Sequence, residues 1–309
     1  MKELFESCKK LIIDNYKGNI DDVSLEAMTI AVMALCLRNE KRTLDKLPRI
    51  LQTIEIFAEK TSVLDIAKNN ISTFNDEMID DNIGACVVRG FGTDDDTGEI
   101  YEEKCLIVST VNLEKNPSDV IMKIAHELTH LLRDQKFEAV GKSITTKNGI
   151  SIVRVKDVST GEKKTKHFYF EEGIVQRYTN QALDMLHEFI ENEDIDDSCL
   201  LGRFKSEYPS KVRSAYDLQV QIVDTLCKDK QFDGAVDASF DEECTPASLI
   251  TYYNNKMNDS TAFSSLSKDV DNCFIELVSG SMETTEKYYR SALSKVATFL
   301  KRDKLKKYI

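Results

Sequence analysis

The sequence of 309 residues has no tryptophan, only four prolines and no long apolar run. Its longest nearly continuous apolar stretch, Ala27 to Leu37, has 11 residues, with Thr29 as the one interruption. A transmembrane helix needs about 20 apolar residues, so this stretch predicts a buried core helix. The first 17 residues include three acidic side chains and are followed by no small-residue cleavage site, so we expect no signal peptide. These absences favour a cytoplasmic protein without a membrane span.

The chain also has fewer basic than acidic residues. The chain has 41 Lys and Arg against 53 Asp and Glu, which gives a formal net charge of −12. Nucleic-acid binding depends on neutralising phosphates with Lys and Arg, so we expect no nucleic-acid partner. The eight cysteines form no CxxC pair, and their spacing is wide and irregular. The sequence therefore gives no support for a zinc-finger or redox motif, and reduced thiols are expected.

Glycine placement divides the chain into three regions. Eight of the twelve glycines lie between Gly84 and Gly173. Residues 1–80 show helical apolar spacing and are expected to form a helical N-terminal region. Residues 81–190 combine β-rich runs with one well-marked helix and are the expected catalytic core, with a β-hairpin insertion. Residues 191–309 return to helical spacing. The predicted fold class is α+β, with a small mixed or antiparallel sheet between predominantly helical ends.

The middle region contains two groups of predicted strands. Ala85 to Phe91 and Cys105 to Leu113 flank a polar turn that ends at Gly98, which predicts a hairpin. Ser143 to Thr146 and Ile150 to Val155 are joined by Lys147-Asn148-Gly149, and Asn-Gly is the strongest short hairpin signal. A further strand is predicted near Lys166 to Phe170.

One helix between these groups carries the residues of greatest chemical interest. Asn116-Pro117 is a favourable helix start, and the helix is predicted to run from Pro117 to about Asp134. It contains the pattern H-E-x-x-H, from His126 to His130. Residues four apart lie on one helix face, so both imidazoles can reach one ion. Glu127 between them can reach a metal-bound water and act as general base.

The position of the histidines on this helix bears on the alternative, a coincidental pair of surface histidines. At about 100° per residue, the apolar side chains of the helix occupy one arc. They are Ile121, Ile124, Ala125, Leu128, Leu131 and Leu132. His126 and His130 project from nearly the opposite side. We therefore expect them to face solvent or a cleft.

The order of a β-strand, a loop and an H-E-x-x-H helix resembles that of the zincin metallopeptidases over roughly residues 100–190. In that family the strand before the helix lies beside the cleft, and its edge can pair with an extended peptide. The resemblance implies a zinc ion with a third protein ligand and an open position for water. Arg133 and Lys136 stand where the metzincin pattern has Gly and His, so that branch is excluded.

The alternative is a glutamate from a later helix, as in the gluzincins. Phe170-Glu171-Glu172-Gly173 resembles the N-E-G segment of gluzincin aminopeptidases, in which the Glu directly before Gly binds zinc. The resemblance implies Glu172 as the third ligand, with Glu171 as the fallback. Forty-one residues separate His130 from Glu172, more than in those aminopeptidases. The excess is the predicted β-meander from about 142 to 170, which is either a flap over the cleft or a surface hairpin.

The predicted activity is hydrolysis of a peptide bond in a peptide or protein substrate, with zinc on His126, His130 and Glu172, and Glu127 as general base. A further donor to the developing oxyanion is expected from the C-terminal half, and the sequence does not choose among its candidates. They are Tyr178, His187, Tyr216, Tyr252 and Tyr253. Two alternatives stay open. One is a non-enzymatic helical protein that binds a partner and has a structural or degenerate metal site. The other is metal-dependent hydrolysis of a non-peptide amide.

Overall fold

A computed structural model gives the fold of this chain. It describes residues 1–70, 84–93, 97–133, 135–140, 143–157, 162–208, 216–241 and 247–305. The described part is an α+β protein with a majority of helix and two small sheets, which confirms the predicted fold class at this level. None of the described helices has the length and apolar character needed to cross a membrane.

The described helices are α1 (Lys2–Asn15), α2 (Asp22–Thr53), α3 (Val63–Asn70), α4 (Thr110–Lys115), α5 (Pro117–Leu132), α6 (Phe168–Ile190), α7 (Leu200–Glu207), α8 (Asp217–Leu226), α9 (Lys230–Ala238), α10 (Ala247–Met257), α11 (Ala262–Val278) and α12 (Met282–Leu305). The described strands are β1 (Glu55–Glu59), β2 (Ala85–Thr93), β3 (Ile100–Ser109), β4 (Gln135–Val140), β5 (Ser143–Asn148), β6 (Ser151–Asp157) and β7 (Glu162–Lys166).

The first sheet has the strand order β1-β3-β2. β2 and β3 are antiparallel, with Ala85 opposite Val108 and Thr93 opposite Ile100, which confirms the first predicted hairpin. The acidic residues at its tip, 94–96, lie outside the described residues. β3 was predicted to continue to Leu113, which is wrong. It ends at Ser109 because the Ser109 side chain accepts a hydrogen bond from the Asn112 amide and caps α4.

The position of β3 in this sheet corrects a second expectation. β1 pairs with β3 in parallel along one side, and β2 pairs along the other. From Cys105 to Val108 both edges of β3 are therefore occupied, so this part of the strand offers no edge to a peptide. Within the described ranges, β2 is paired on one side alone and is the strand of this sheet that borders α5 most closely.

The second sheet is the antiparallel meander β4-β5-β6-β7. The hairpin predicted around Asn148-Gly149 is confirmed, with Asn148 opposite Ser151 and Gly149 at φ +54°. β4 was not predicted. The strand predicted for Lys166 to Phe170 is wrong beyond Lys166, because β7 ends at that residue and α6 begins at Phe168. The carboxylate of Asp271 accepts a hydrogen bond from the Tyr169 amide at 3.0 Å and so caps the first turn of this helix.

In the described part of residues 1–80, the main elements are α1 and the long α2. The predicted apolar stretch of α2 is buried from Ala27 to Cys36. The two parts of α2 meet at a kink at Asn39 (φ −160°, ψ 90°), whose side chain accepts from the Arg42 amide and caps the second part. β1 follows α2 and was not predicted.

The chain divides into two compact units, neither of which is a single consecutive segment. One unit comprises residues 1–132 and 178–213, and the other comprises residues 133–177 and 214–309. Helix α6 is continuous through the division at residue 178. These boundaries differ from those of the three regions expected from the sequence, whose status as domains stays a prediction.

Candidate metal centre

Helix α5 carries both histidines of the H-E-x-x-H pattern. It runs from Pro117 to Leu132, close to the predicted bounds, and the Asn116 carbonyl accepts a hydrogen bond from the Val120 amide at its start. The predicted apolar arc is buried, but so is most of the opposite side of the helix. His126 is 6 % exposed and His130 is 9 % exposed. The histidines therefore are not surface residues, as the coincidental alternative would require.

The two imidazoles face each other through the same ring atom. The Nε2 atoms of His126 and His130 lie 3.1 Å apart, and the ring planes meet at 78°. Two nitrogens that bind one tetrahedral zinc at about 2.05 Å are separated by about 3.3 Å. The observed separation is close to that value, so both nitrogens can bind one ion with little movement.

Glu172 adds a carboxylate to this pair. It lies in the second turn of α6 and is 5 % exposed. One ligand atom each from His126, His130 and Glu172 lies within 4.8 Å of the other two. Two imidazoles and one glutamate form a common ligand set of catalytic zinc, which keeps a fourth position for water. The donor set and its spacing thus fit the ion that the sequence resemblance implies.

Glu171, the fallback ligand, has different partners. Its Oε1 lies 2.7 Å from Arg133 Nε, and its Oε2 accepts hydrogen bonds from Arg133 Nη2 and from the Ile150 amide, each at 3.0 Å. One oxygen thus accepts two hydrogen bonds from buried donors, and the other lies in ion-pair contact with Arg133. The structure brings Glu172, and not its neighbour, to the two histidines. Which of them binds metal stays a prediction.

Glu127 lies between the histidines in sequence and near strand β2 in space. It is half-buried. Burial raises the pKa of the Cys86 thiol, and the negative charge of Glu127 raises it further. Burial lowers the pKa of Arg89, whereas the charges of Glu102 and Glu127 oppose that shift. Cys86 and Arg89 both belong to β2, so the carboxylate of Glu127 lies close to that strand.

A close packing contact explains how β2 comes to flank Glu127. A Cβ atom at Gly84, just before β2, would lie 2.5 Å from Val120 Cγ2 on α5. An α-helix rises about 1.5 Å per residue, so Glu127 is about 10 Å farther along α5. A strand covers that distance in about three residues. A strand that runs alongside α5 from Gly84 would therefore reach the level of Glu127 near residue 87, between Cys86 and Arg89.

Arg89 is the residue near the site that sequence reasoning missed. It is an arginine within the apolar run Ala85 to Phe91, and a charged residue there is the one signal that could have drawn attention to it. The Arg89 guanidinium also pairs with Glu102 on β3 at 3.5 Å. Its position brings a positive charge to the part of β2 beside Glu127.

The contacts of the five candidate oxyanion donors do not single out one of them. Tyr178 accepts a hydrogen bond from Arg42 Nη1 at 3.4 Å, and its ring lies under the Arg38 guanidinium. Tyr252 donates to Asp229, Tyr253 stacks on Phe299, His187 lies against Tyr208, and Tyr216 lies against Phe274. Their role stays a prediction.

Comparison with known proteins adds no relative to this description. No family model, no curated protein and no solved structure matches the chain. The function must therefore be inferred from the residues of the site and from their geometry.

Proposed function

We propose that this chain is a zinc-dependent metallopeptidase of the gluzincin type. The observation that carries the proposal is the convergence of His126 and His130, on α5, with Glu172, on α6, within 4.8 Å. Helix α5 also carries Glu127 between the two histidines. A glutamate at this position of the pattern is placed to serve as a base beside the ion, which a merely structural metal site does not need.

His126 and His130 would hold the ion through their Nε2 atoms, and Glu172 would hold it through a carboxylate oxygen. When bound, zinc supplies Lewis-acid chemistry, polarising a substrate carbonyl and lowering the pKa of water. The Glu127 carboxylate takes the proton of the attacking water and then delivers it to the leaving amine nitrogen. The burial of all three ligands strengthens these electrostatic interactions by excluding bulk water.

Strand β2 would supply the binding surface for an extended peptide, by main-chain pairing along its outer edge. The charges of its Arg89 and of Glu127 interact, and a positive charge near Glu127 would stabilise the oxyanion that develops in the transition state. We propose a peptide or protein substrate on this basis, and a cytoplasmic location as expected from the sequence.

A library of synthetic peptides with mixed sequences tests the proposed reaction. The purified full chain is loaded with zinc and incubated with the library, and cleavage products are identified by mass spectrometry. The expected result is a set of new peptide termini that a chelator abolishes and that zinc restores. Absence of cleavage by protein that carries one zinc per chain would favour the non-enzymatic alternative. Hydrolysis of small N-acyl amides but not of peptides would favour the non-peptide amidohydrolase.

A further inference from the structure

A buried ion pair joins the residue that follows α5 to the residue that precedes Glu172 on α6. Arg133 is the first residue after α5, and Glu171 immediately precedes Glu172 on α6. The side chain of Arg133 is 0 % exposed and that of Glu171 is 1 % exposed. Arg133 contributes Nε and Nη2 to the two oxygens of Glu171, at 2.7 and 3.0 Å. The contact from Nη2 to Oε2 is a hydrogen bond, and the contact between Nε and Oε1 brings the opposite charges together without hydrogen-bond geometry.

Additional contacts fix each partner of this pair. Arg133 Nη1 donates a hydrogen bond to Ser239 Oγ at 2.8 Å, and its guanidinium lies over the Phe240 ring, 4.4 Å from the centroid. Glu171 Oε2 also accepts from the Ile150 amide at 3.0 Å. A buried ion pair needs such extra partners to offset the loss of hydration. We call Arg133, Glu171, Ile150 and Ser239 the Arg133–Glu171 clasp.

Gly149 makes room for the clasp. It has φ +54°, and a Cβ atom there would overlap Glu171 Oε1 and the Nη2 and Nε atoms of Arg133. The Asn148-Gly149 turn thus requires glycine for two reasons, its left-handed backbone and the close approach of the ion pair. The clasp consequently anchors the turn between β5 and β6 to the start of α6.

We infer that the clasp is a positioning device for the metal centre and that Arg133 and Glu171 are positioning residues. Each is one residue away from a metal-binding element: Arg133 from the end of α5 and Glu171 from Glu172. A metal site requires its ligands to be held within about 0.5 Å of their working geometry. Fixing Glu171 on two sides fixes the backbone from which Glu172 projects. This inference rests on the proposed function, because it assigns a role toward the same ion.

A purely structural clasp would make a different prediction. It would contribute to the stability of the fold and leave the zinc affinity of folded protein unchanged. A positioning clasp changes the affinity itself, since partners outside the ligand set commonly change metal affinity by about 10–100-fold. The zinc dissociation constant, measured by competition with a chelator, therefore separates the two roles. The visible absorption of the Co²⁺-substituted protein reports the geometry of the same site without any activity assay.

Two variants of the full chain loosen the clasp in different ways. Arg133→Lys keeps the positive charge and loses the planar fork. Gly149→Ala keeps both charges and places a methyl group against them. Gly280→Ala is the matched control for the glycine, because Gly280 also has a positive φ (+81°) but has open space around its Cβ position. Lys256→Met is the control for the ion pair, since Lys256 and Asp229 form another buried pair.

We expect Arg133→Lys and Gly149→Ala to raise the zinc dissociation constant about 10–100-fold and to alter the Co²⁺ spectrum. Gly280→Ala and Lys256→Met should leave the zinc dissociation constant and the Co²⁺ spectrum within error of the wild type. This holds at temperatures where the two variants are folded, even if they are less stable. Should the first two variants not fold, Ser239→Ala removes one clasp contact and should raise the dissociation constant by about threefold or more.

Two results would overturn the inference, and they are distinguishable. If wild-type protein binds zinc and folded clasp variants bind it equally tightly, the clasp is structural and the proposed function is unaffected. If wild-type protein binds no zinc even after reconstitution, the proposed function fails, and the positioning role fails with it.

Discussion

Thr179 Oγ1 on α6 donates a hydrogen bond to Thr129 Oγ1 on α5 at 3.2 Å, and both residues are fully buried. Thr129 lies within the H-E-x-x-H pattern, and its hydroxyl donates in turn to the Ala125 carbonyl at 2.7 Å. Thr179 comes seven residues after Glu172, which is almost two helical turns and nearly the same face of α6. This contact therefore joins the helix of the two histidines to the helix that carries Glu172.

Replacement of Thr129 by valine tests the energetic importance of this contact. The substitution preserves shape but removes the acceptor of the Thr179 hydroxyl in a buried position. We expect Thr129→Val to lower the free energy of unfolding by about 1–3 kcal/mol, measured by urea denaturation. The double variant Thr129→Val/Thr179→Val should recover part of that loss, because no hydroxyl is then left without its partner at this contact. A single variant as stable as the wild type would show that the contact contributes little.

Replacement of Glu127 by glutamine tests its assignment as general base. The amide has almost the same shape but cannot take a proton from water. We expect Glu127→Gln to retain one zinc per chain and to lose at least about 100-fold in peptidase rate. Glu114→Gln, on the neighbouring helix α4 and exposed, is the matched control and should retain full activity. Full peptidase activity in zinc-loaded Glu127→Gln would rule out the proposed base.

The carboxyl group that caps α6 predicts a specific dependence of stability on pH. Burial raises the pKa of Asp271 from 3.8 to about 6, against the opposing effect of the backbone amides that bind it. The folded protein therefore binds this proton more tightly than the unfolded chain does. Stability contributed by Asp271 is greatest below pH 3.8 and falls as the pH rises toward 6. At about 1.36 kcal/mol per pKa unit, the fall is about 3 kcal/mol.

The comparison that isolates this effect is the difference in unfolding free energy between wild type and Asp271→Asn across pH 3.5 to 7.5. We expect the wild type to lose stability relative to the variant as the pH rises, with a plateau above about 6.5. Asp259→Asn is a control of opposite sign, because hydrogen bonds from Thr261 lower the pKa of Asp259. If the unfolding free energy of the wild type minus that of Asp271→Asn stays flat or rises with pH, the pKa of Asp271 is not raised in the folded protein.

Features with a local physical cause could be predicted from the sequence. Asn116-Pro117 predicts the start of α5, and the helical spacing of its apolar residues predicts the buried arc. Asn148-Gly149 predicts the β5–β6 hairpin. The buried state of the histidines could not be predicted. It depends on elements packed around the second side of α5, which the periodicity of one helix does not reveal.

The distinction between Glu171 and Glu172 shows where sequence reasoning ended. Two adjacent carboxylates at a helix start have the same local signals, and the resemblance to gluzincins was the basis for preferring Glu172. The structure separates them through Arg133, which is 38 positions from Glu171 in the chain. The central position of β3 was hidden for a similar reason, because it depends on pairing with β1, a strand that was not predicted.

The most direct test of the account is the zinc content of purified, zinc-reconstituted protein, measured by elemental analysis for the wild type, Glu172→Ala and Glu171→Gln. We expect about one zinc per chain in the wild type and in Glu171→Gln at saturating zinc, with clear loss in Glu172→Ala. Zinc retained in full by Glu172→Ala and lost by Glu171→Gln would move the third ligand to Glu171. A wild-type protein without zinc after reconstitution would contradict the metal centre and the proposed peptidase activity.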